Sequence, residues 1–189
     1  MMKRIRGIAL RWVFAALVAC AEARATTVMR MSVEKLARTA EVVARARCVA
    51  NVTGWDAGEI WTVTTFQIEE TWKGAPGALI TVRLLGGRAG NLTSTVDGVP
   101  RFQAGEDVVL FLERTARGDF SVVSWMQGTF RIRLERKTGE ESVAQDTAAF
   151  PTYDPETRRF EASGIRGTRL DVLREQVAAA LSAGGGRKP

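Results

Sequence analysis

The chain has 189 residues, with 27 Lys and Arg against 21 Asp and Glu, and not one histidine. The missing histidine excludes a histidine general base and a histidine-rich zinc site, and with them much of ordinary hydrolase chemistry. A net charge of +6 invites a nucleic-acid partner until it is located: residues 1–25 hold +4 of it, leaving +2 on residues 26–189 without a clustered basic face, so none is expected.

Residues 1–25 read as a signal peptide. Lys3, Arg4 and Arg6 precede the apolar run Trp12–Cys20, and Ala23 and Ala25 supply the small residues that a signal peptidase reads. The run is far short of the roughly 20 apolar residues that span a bilayer. Two processing routes stay open. Cleavage after Ala25 makes Thr26 the first residue, whereas Leu17-Val18-Ala19-Cys20 fits a lipobox in which Cys20 is lipidated. Either route leaves Cys48 without an intramolecular disulfide partner. The expected location is secreted or periplasmic, with membrane attachment only through Cys20.

From Ser32, whose hydroxyl suits a helix N-cap, Val33, Leu36, Ala37 and Ala40 recur at helical spacing. At Val42 the period changes to two, with Ala44, Ala46, Cys48, Ala50 and Val52 on one face of a first strand that ends at the loop Gly54–Gly58. A second strand, about Ile60–Thr71, turns Ile60, Thr62, Thr64, Phe66 and Ile68 to one side. The third is Leu79–Leu85, followed by the glycine-rich Gly86–Gly90 and a weak candidate at residues 91–96. Val108–Leu112 is continuously apolar, as a strand buried on both faces would be. Phe120 to Leu134 alternates as one long strand that bends at Gly128. The polar residues 135–165 read as a hairpin and irregular chain, and Thr168 can cap a last helix with Leu170, Leu173, Val177 and Leu181 on one stripe.

The domain layout is thus one domain over residues 26–182, with a core about 40–134, the irregular segment 135–165, a C-terminal helix 168–182 and a flexible tail 183–189. Phe66, Ile68, Val82, Leu110, Val122 and Phe130 are expected together in one core. No nucleophile–base pair or metal cluster can be assembled, so the expectation is a protein that is not an enzyme, with no catalytic residue, metal or cofactor. Glu69 and Glu70 point to opposite faces of a strand and cannot act on one bond. Gly86–Gly90 lacks the Lys-Ser/Thr that completes a phosphate loop and reads as a chain reversal. Cys48 faces inward and should be inert. Trp55, Trp61 and Trp125 fall on outer faces or loops, and of these Trp61 and Trp125 are the candidates for partner binding. The competing reading packs these rings under the helices or the 135–165 segment.

Three motifs occur in order: Ala40-Glu41-Val42-Val43-Ala44-Arg45-Ala46, Phe66-Gln67-Ile68-Glu69-Glu70-Thr71-Trp72-Lys73-Gly74, and Val109-Leu110-Phe111-Leu112 ahead of the Phe120–Leu134 segment. Over residues 40–134 this resembles the netrin-like domain, the OB-type barrel of the tissue inhibitors of metalloproteinases, and a group of uncharacterised secreted bacterial proteins of the same layout. The resemblance implies a mainly β fold: a small closed OB-type (netrin-like) barrel of five to six strands, with a short N-terminal helix and a C-terminal helix. It implies a non-enzymatic binding module whose partner is another protein, in the inhibitor family a secreted metalloprotease. There, an N-terminal cysteine chelates the protease zinc through its amine and carbonyl and is pinned by disulfides. Here Thr26 stands fifteen residues before Glu41, at about that family's spacing. The implied partner-binding residues are therefore Thr26, Thr27 and Val28, on a segment running free to Arg30 with no disulfide to hold it. The alternative is an envelope-associated structural domain lipid-anchored through Cys20.

Overall fold

The structure is a computed structural model that describes residues 29–149, 151–162 and 164–185. The signal peptide, Cys20, Thr26, Thr27 and Val28 lie outside the described residues.

The chain is mainly β, with a short helix near the start of the described residues and a longer one at their end. Helix α1 (Val33–Thr39) leads into β1 (Val42–Asp56), β2 (Glu59–Lys73), β3 (Leu79–Leu85), β4 (Gly87–Ala89) and β5 (Leu92–Ser94). Then follow β6 (Asp107–Arg114), β7 (Phe120–Val122), a 3-10 turn (Trp125–Gly128), β8 (Thr129–Leu134) and β9 (Glu141–Gln145). After a second 3-10 turn (Asp146–Ala149) come β10 (Thr152–Asp154), β11 (Arg159–Glu161), β12 (Arg166–Arg169) and helix α2 (Leu170–Gly185).

These are twelve strands among the described residues, eight of them in the main sheet, where five to six were expected. The surplus comes from short strands in segments read as a hairpin, a weak strand candidate or a chain reversal, and from the division of Phe120–Leu134 into two strands. Residues 135–165 supply β9 to β11, and Gly87–Ala89 pairs with Leu92–Ser94 as a small separate hairpin. The main sheet runs β1-β2-β3-β7-β6-β8-β9-β12, and β1 also pairs with β6 along its other edge. All these pairings are antiparallel except β3 with β7, which meet in parallel at Val82 and Phe120.

Two strand expectations are corrected. The loop at residues 54–58 is only a tight turn at Ala57-Gly58, because β1 and β2 stay paired out to Asp56 and Glu59. The long strand Phe120–Leu134 is broken: Ser124 and Trp125 both sit at φ 52, the chain makes a 3-10 turn, and pairing resumes at Thr129. That turn resets the alternation, so Phe130 does not share a core with Val122.

The result is two apolar cores on opposite faces of β1 and β6. Ala44, Ala46, Cys48, Phe66, Val82, Leu110 and Val122 pack in the first, with Ile68 half-buried against it. Val43, Val109, Phe111, Phe130, Leu36 and Leu173 pack in the second, beneath the two helices. The continuous apolar run of β6 follows from this, since Val108, Leu110 and Leu112 face one core and Val109 and Phe111 the other.

Helix α1 is capped as expected: the Ser32 hydroxyl accepts from the Lys35 N–H. Its other end is held from β2. The Lys73 ammonium donates to the carbonyls of Ala37, Arg38 and Ala40, which the helix leaves unpaired and partly negative. Gly74 follows at φ 79, where a Cβ would lie 2.5 Å from the Glu41 carbonyl oxygen. The Trp72-Lys73-Gly74 motif therefore does structural work, docking β2 onto the helix end. At the other terminus Thr168 is not a cap. It lies in β12 opposite Val143, and the helix starts at Leu170 and runs to Gly185, past the expected end at 182.

Candidate functional site

Residues 29–31 lie along the edge of the second core, and a buried glutamine fixes them there. Gln127 is 1% exposed. Its side-chain carbonyl accepts from the Met31 N–H at 2.7 Å, and its amide donates to the Met29 carbonyl at 2.8 Å. On the other flank the Arg30 N–H donates to the Tyr153 carbonyl at 2.8 Å, and the Arg30 guanidinium sits 3.0 Å from the Asp154 carboxylate. Asp154 is held below the usual carboxylate range, first by the Glu156 N–H, then by the Thr157 N–H and Arg30. The expectation of a segment running free up to Arg30 is corrected for Met29 and Arg30, which these hydrogen bonds tie down.

The break between β7 and β8 is what aims Gln127. Two successive non-glycine residues in the left-handed region cost on the order of 1–3 kcal/mol each. They turn Gln127 inward while leaving Trp125 43% exposed. Gly128 is needed behind it, since a Cβ there would lie 2.4 Å from the Val123 carbonyl oxygen. Around the clamped segment stand exposed apolar side chains. Met29 bridges Tyr153, whose ring packs 5.3 Å from that of exposed Phe160, and Trp125 is two residues from Gln127.

Trp61 belongs elsewhere. It lies half-buried on the outer face of β2, paired with Gly54 and Leu85, with the Arg83 guanidinium 4.4 Å from its ring centre. Arg83 pairs with Asp56, which Arg117 also neutralises. An intramolecular cation therefore covers the Trp61 ring, whereas Trp125 neighbours Gly98, and the two tryptophans do not form one face. Cys48 is buried in the first core, and burial pushes its thiol pKa up.

A second feature was missed in the sequence. A cleft of about 330 Å³ opens at the β1–β2 turn end of the first core. Its floor is polar: the Thr62 hydroxyl donates to the Gly86 carbonyl (2.7 Å) and takes a hydrogen bond from Thr53 (3.0 Å), while the Thr64 hydroxyl donates to the Asn51 amide oxygen. Asn51 in turn donates to the Phe102 carbonyl at 2.9 Å. The β4–β5 hairpin lies directly over this floor. Gly87, at φ 138, has space for no Cβ, which would meet the Thr62 hydroxyl at 2.4 Å. Arg88 and Arg101 stand exposed at the rim, and Arg101 donates to the Ser94 carbonyl. Arg131 fastens the loop that carries Arg101 and Phe102, donating to the Arg101 carbonyl and to Glu106 and Asp146. The available signal was Thr62 and Thr64 at inward positions of β2, where its other end places Phe66.

Among the described residues, no three His, Cys, Asp or Glu side chains stand close enough to hold a metal ion, and no helix is long and apolar enough to cross a membrane. No protein-family model matches the chain, and no curated protein matches it either.

Proposed function

We propose that this is an exported, non-enzymatic binding module that engages another protein through its N-terminal segment, with Trp125 as a further contact. The observation that carries this is the Gln127 clamp. Burying a glutamine amide is costly unless both ends are paired, and here both ends are spent on the backbone of Met29 and Met31. A rigid anchor this close to the proposed mature terminus lowers the ordering cost of binding. Two residues lie between Thr26 and Met29, so three chain steps keep its amine within roughly 10 Å of the anchored backbone.

The fold reading belongs with this proposal. The pairings β1-β2-β3-β7-β6 and back to β1, with a single parallel step between β3 and β7, support a five-stranded closed OB-type barrel. The partner class implied by the netrin-like resemblance is a secreted metalloprotease, whose zinc keeps one position open that a neutral α-amine can fill. With a typical pKa of about 7.7–8.0, the Thr26 amine is substantially neutral near pH 8.

The test compares protein beginning at Thr26 with protein carrying one extra alanine, against a panel of secreted zinc proteases. Inhibition by the first form and loss of it in the second, at equal melting temperature, is the expected result. If neither form inhibits any protease, the inhibitor reading fails. Intact-mass measurement of exported protein decides between Thr26 and a lipidated Cys20.

A further inference from the structure

The second half of β1 is an edge strand. On one side β1 pairs with β2 out to Asp56. On the other its ladder with β6 ends at Arg47, and the Cys48 backbone is the last to be bonded, to Glu106 and Gly105. The β4–β5 hairpin packs over the inner face of this end, at Thr53 and Thr62, and its strands pair only with each other. The β1–β2 turn fixes which backbone groups are left over. Ala57 and Gly58 sit at φ 52 and φ 83, a two-residue turn with both residues left-handed, so Asp56 and Glu59 exchange backbone hydrogen bonds across it. Bonded and non-bonded pairs then alternate back along the ladder, and Gly54 and Val52 spend their groups on β2. The Ile60 carbonyl agrees with this phase: opposite Trp55, it turns away from β1 and accepts from the Gly86 N–H. By the same alternation the N–H and C=O groups of Asn51, Thr53 and Trp55 point away from β2, and no backbone group among the described residues takes them up.

An open edge is ordinarily guarded by charge, by proline or by a cover. From Cys48 to Trp55 there is neither a charge nor a proline. The outer face beside this edge is nearly neutral as well. Ala50, Val52 and Gly54 stand exposed, next to Thr65, Val63 and Trp61 of β2 and then Thr81, Arg83 and Leu85 of β3. Arg83, the one charge among them, is committed to Asp56 and to the Trp61 ring.

A strand that meets its own copy antiparallel sets residues near the two-fold axis against themselves or close neighbours, so a charge there would face a like charge. The neutral stretch removes that obstacle, and the three free residues have the spacing that self-pairing needs. We infer that the protein forms a two-fold dimer in which β1 pairs with β1 of a second copy, centred on Thr53. Thr53 opposes its own copy, Asn51 opposes Trp55 of the second copy, and each opposed pair exchanges two backbone hydrogen bonds. Asp56 falls opposite Ala50, so the nearest carboxylates do not meet. The strands β3, β2 and β1 continue into their copies as one sheet. An unrelated strand would satisfy this chain's groups equally, but self-pairing satisfies both open edges at once with an uncharged match. The edge shares no residue with the Gln127 clamp, and the dimer does not depend on the function proposed above.

Sedimentation velocity from micromolar to millimolar protein should show a monomer giving way to a dimer. Hydrogen exchange supplies the address: the amides of Asn51, Thr53 and Trp55 should slow as the dimer forms, while those of Val52 and Gly54, already bonded to β2, are slow throughout. Val52 is 70% exposed, so Val52→Lys should leave the melting temperature of the monomer unchanged. It sets two ammonium groups on diagonal positions across the axis and should raise the dimer dissociation constant about fivefold, the size of one adverse cross-strand pair. Trp55→Pro deletes an N–H that β2 does not use and should weaken the dimer by a separate route. The proposal is overturned if the protein stays monomeric at millimolar concentration, if a dimer forms without slowing the three amides, or if Val52→Lys leaves it equally tight.

Discussion

On one side of Val49 the inward face of the β1–β2 hairpin carries Ala44, Ala46, Cys48 and Phe66; on the other it carries Asn51, Thr53, Thr62 and Thr64. The same two strands, in the same ladder, build a dry core at one end and a polar cleft at the other. The register explains the change. Cys48 pairs with Phe66 and Ala50 with Thr65, so Val49 is an extra residue on β1. Such a bulge moves every later side chain of its strand to the other face. It brings Asn51 and Thr53 inward, opposite Thr64 and Thr62, and sends Ala50 and Val52 to solvent. The two halves obey different rules: the dry half is stabilised by filled volume, the polar half by having each buried hydroxyl paired.

Breaking the dry half should have the largest effect. Phe66 is fully buried and meets Phe102 edge-on, ring centres 5.0 Å apart. Phe66→Ala should cost about 3–5 kcal/mol, read by denaturant unfolding. Its exposed neighbour Gln67→Ala should stay within about 0.5 kcal/mol. Equal effects would show the register of β2 to be wrong. In the polar half, Thr64→Val keeps the shape but leaves the Asn51 oxygen without its buried partner, so about 1–3 kcal/mol is expected. No loss would mean that solvent satisfies the floor and that its proton arrangement is not fixed. The smallest effect concerns the boundary. Burial raises the Cys48 pKa, so the thiol should remain protonated and unreactive towards alkylating reagents near pH 8 until denaturant is added. Fast labelling of native protein would show that the cleft penetrates past the bulge into the core.

Periodicity made much of this fold legible. Helix α1 with its Ser32 cap, the bounds of β3, the inward set of β2 and the two-sided burial of Val108–Leu112 are local consequences of residue order. What failed were the places where the chain changes phase. Nothing in Phe120–Leu134 marks Ser124 and Trp125 as left-handed, because neither is a glycine and the apolar alternation continues through them. The bulge at Val49 is equally silent, since Ala50 and Val52 suit an inward face as well as any residue there. The clamp suffered from the same blindness: Gln127 looked like one more outward polar residue on a long strand.

The sequence by itself determined helix α1, the first three strands, the buried strand at Val108–Leu112 and the body of helix α2. It also determined that Phe66, Val82, Leu110 and Val122 would share a core, though not that Phe130 would leave it, and that Cys48 would be packed away. Those follow from side-chain spacing and burial preference, which act over a few residues. Only the tertiary structure decided that Gln127 grips Met29 and Met31, 98 and 96 residues away in the chain, that Lys73 closes helix α1, and that Gly87 rests on Thr62. Such contacts depend on how the strands register with one another. A shift of one residue, invisible in composition, reverses which side chains meet.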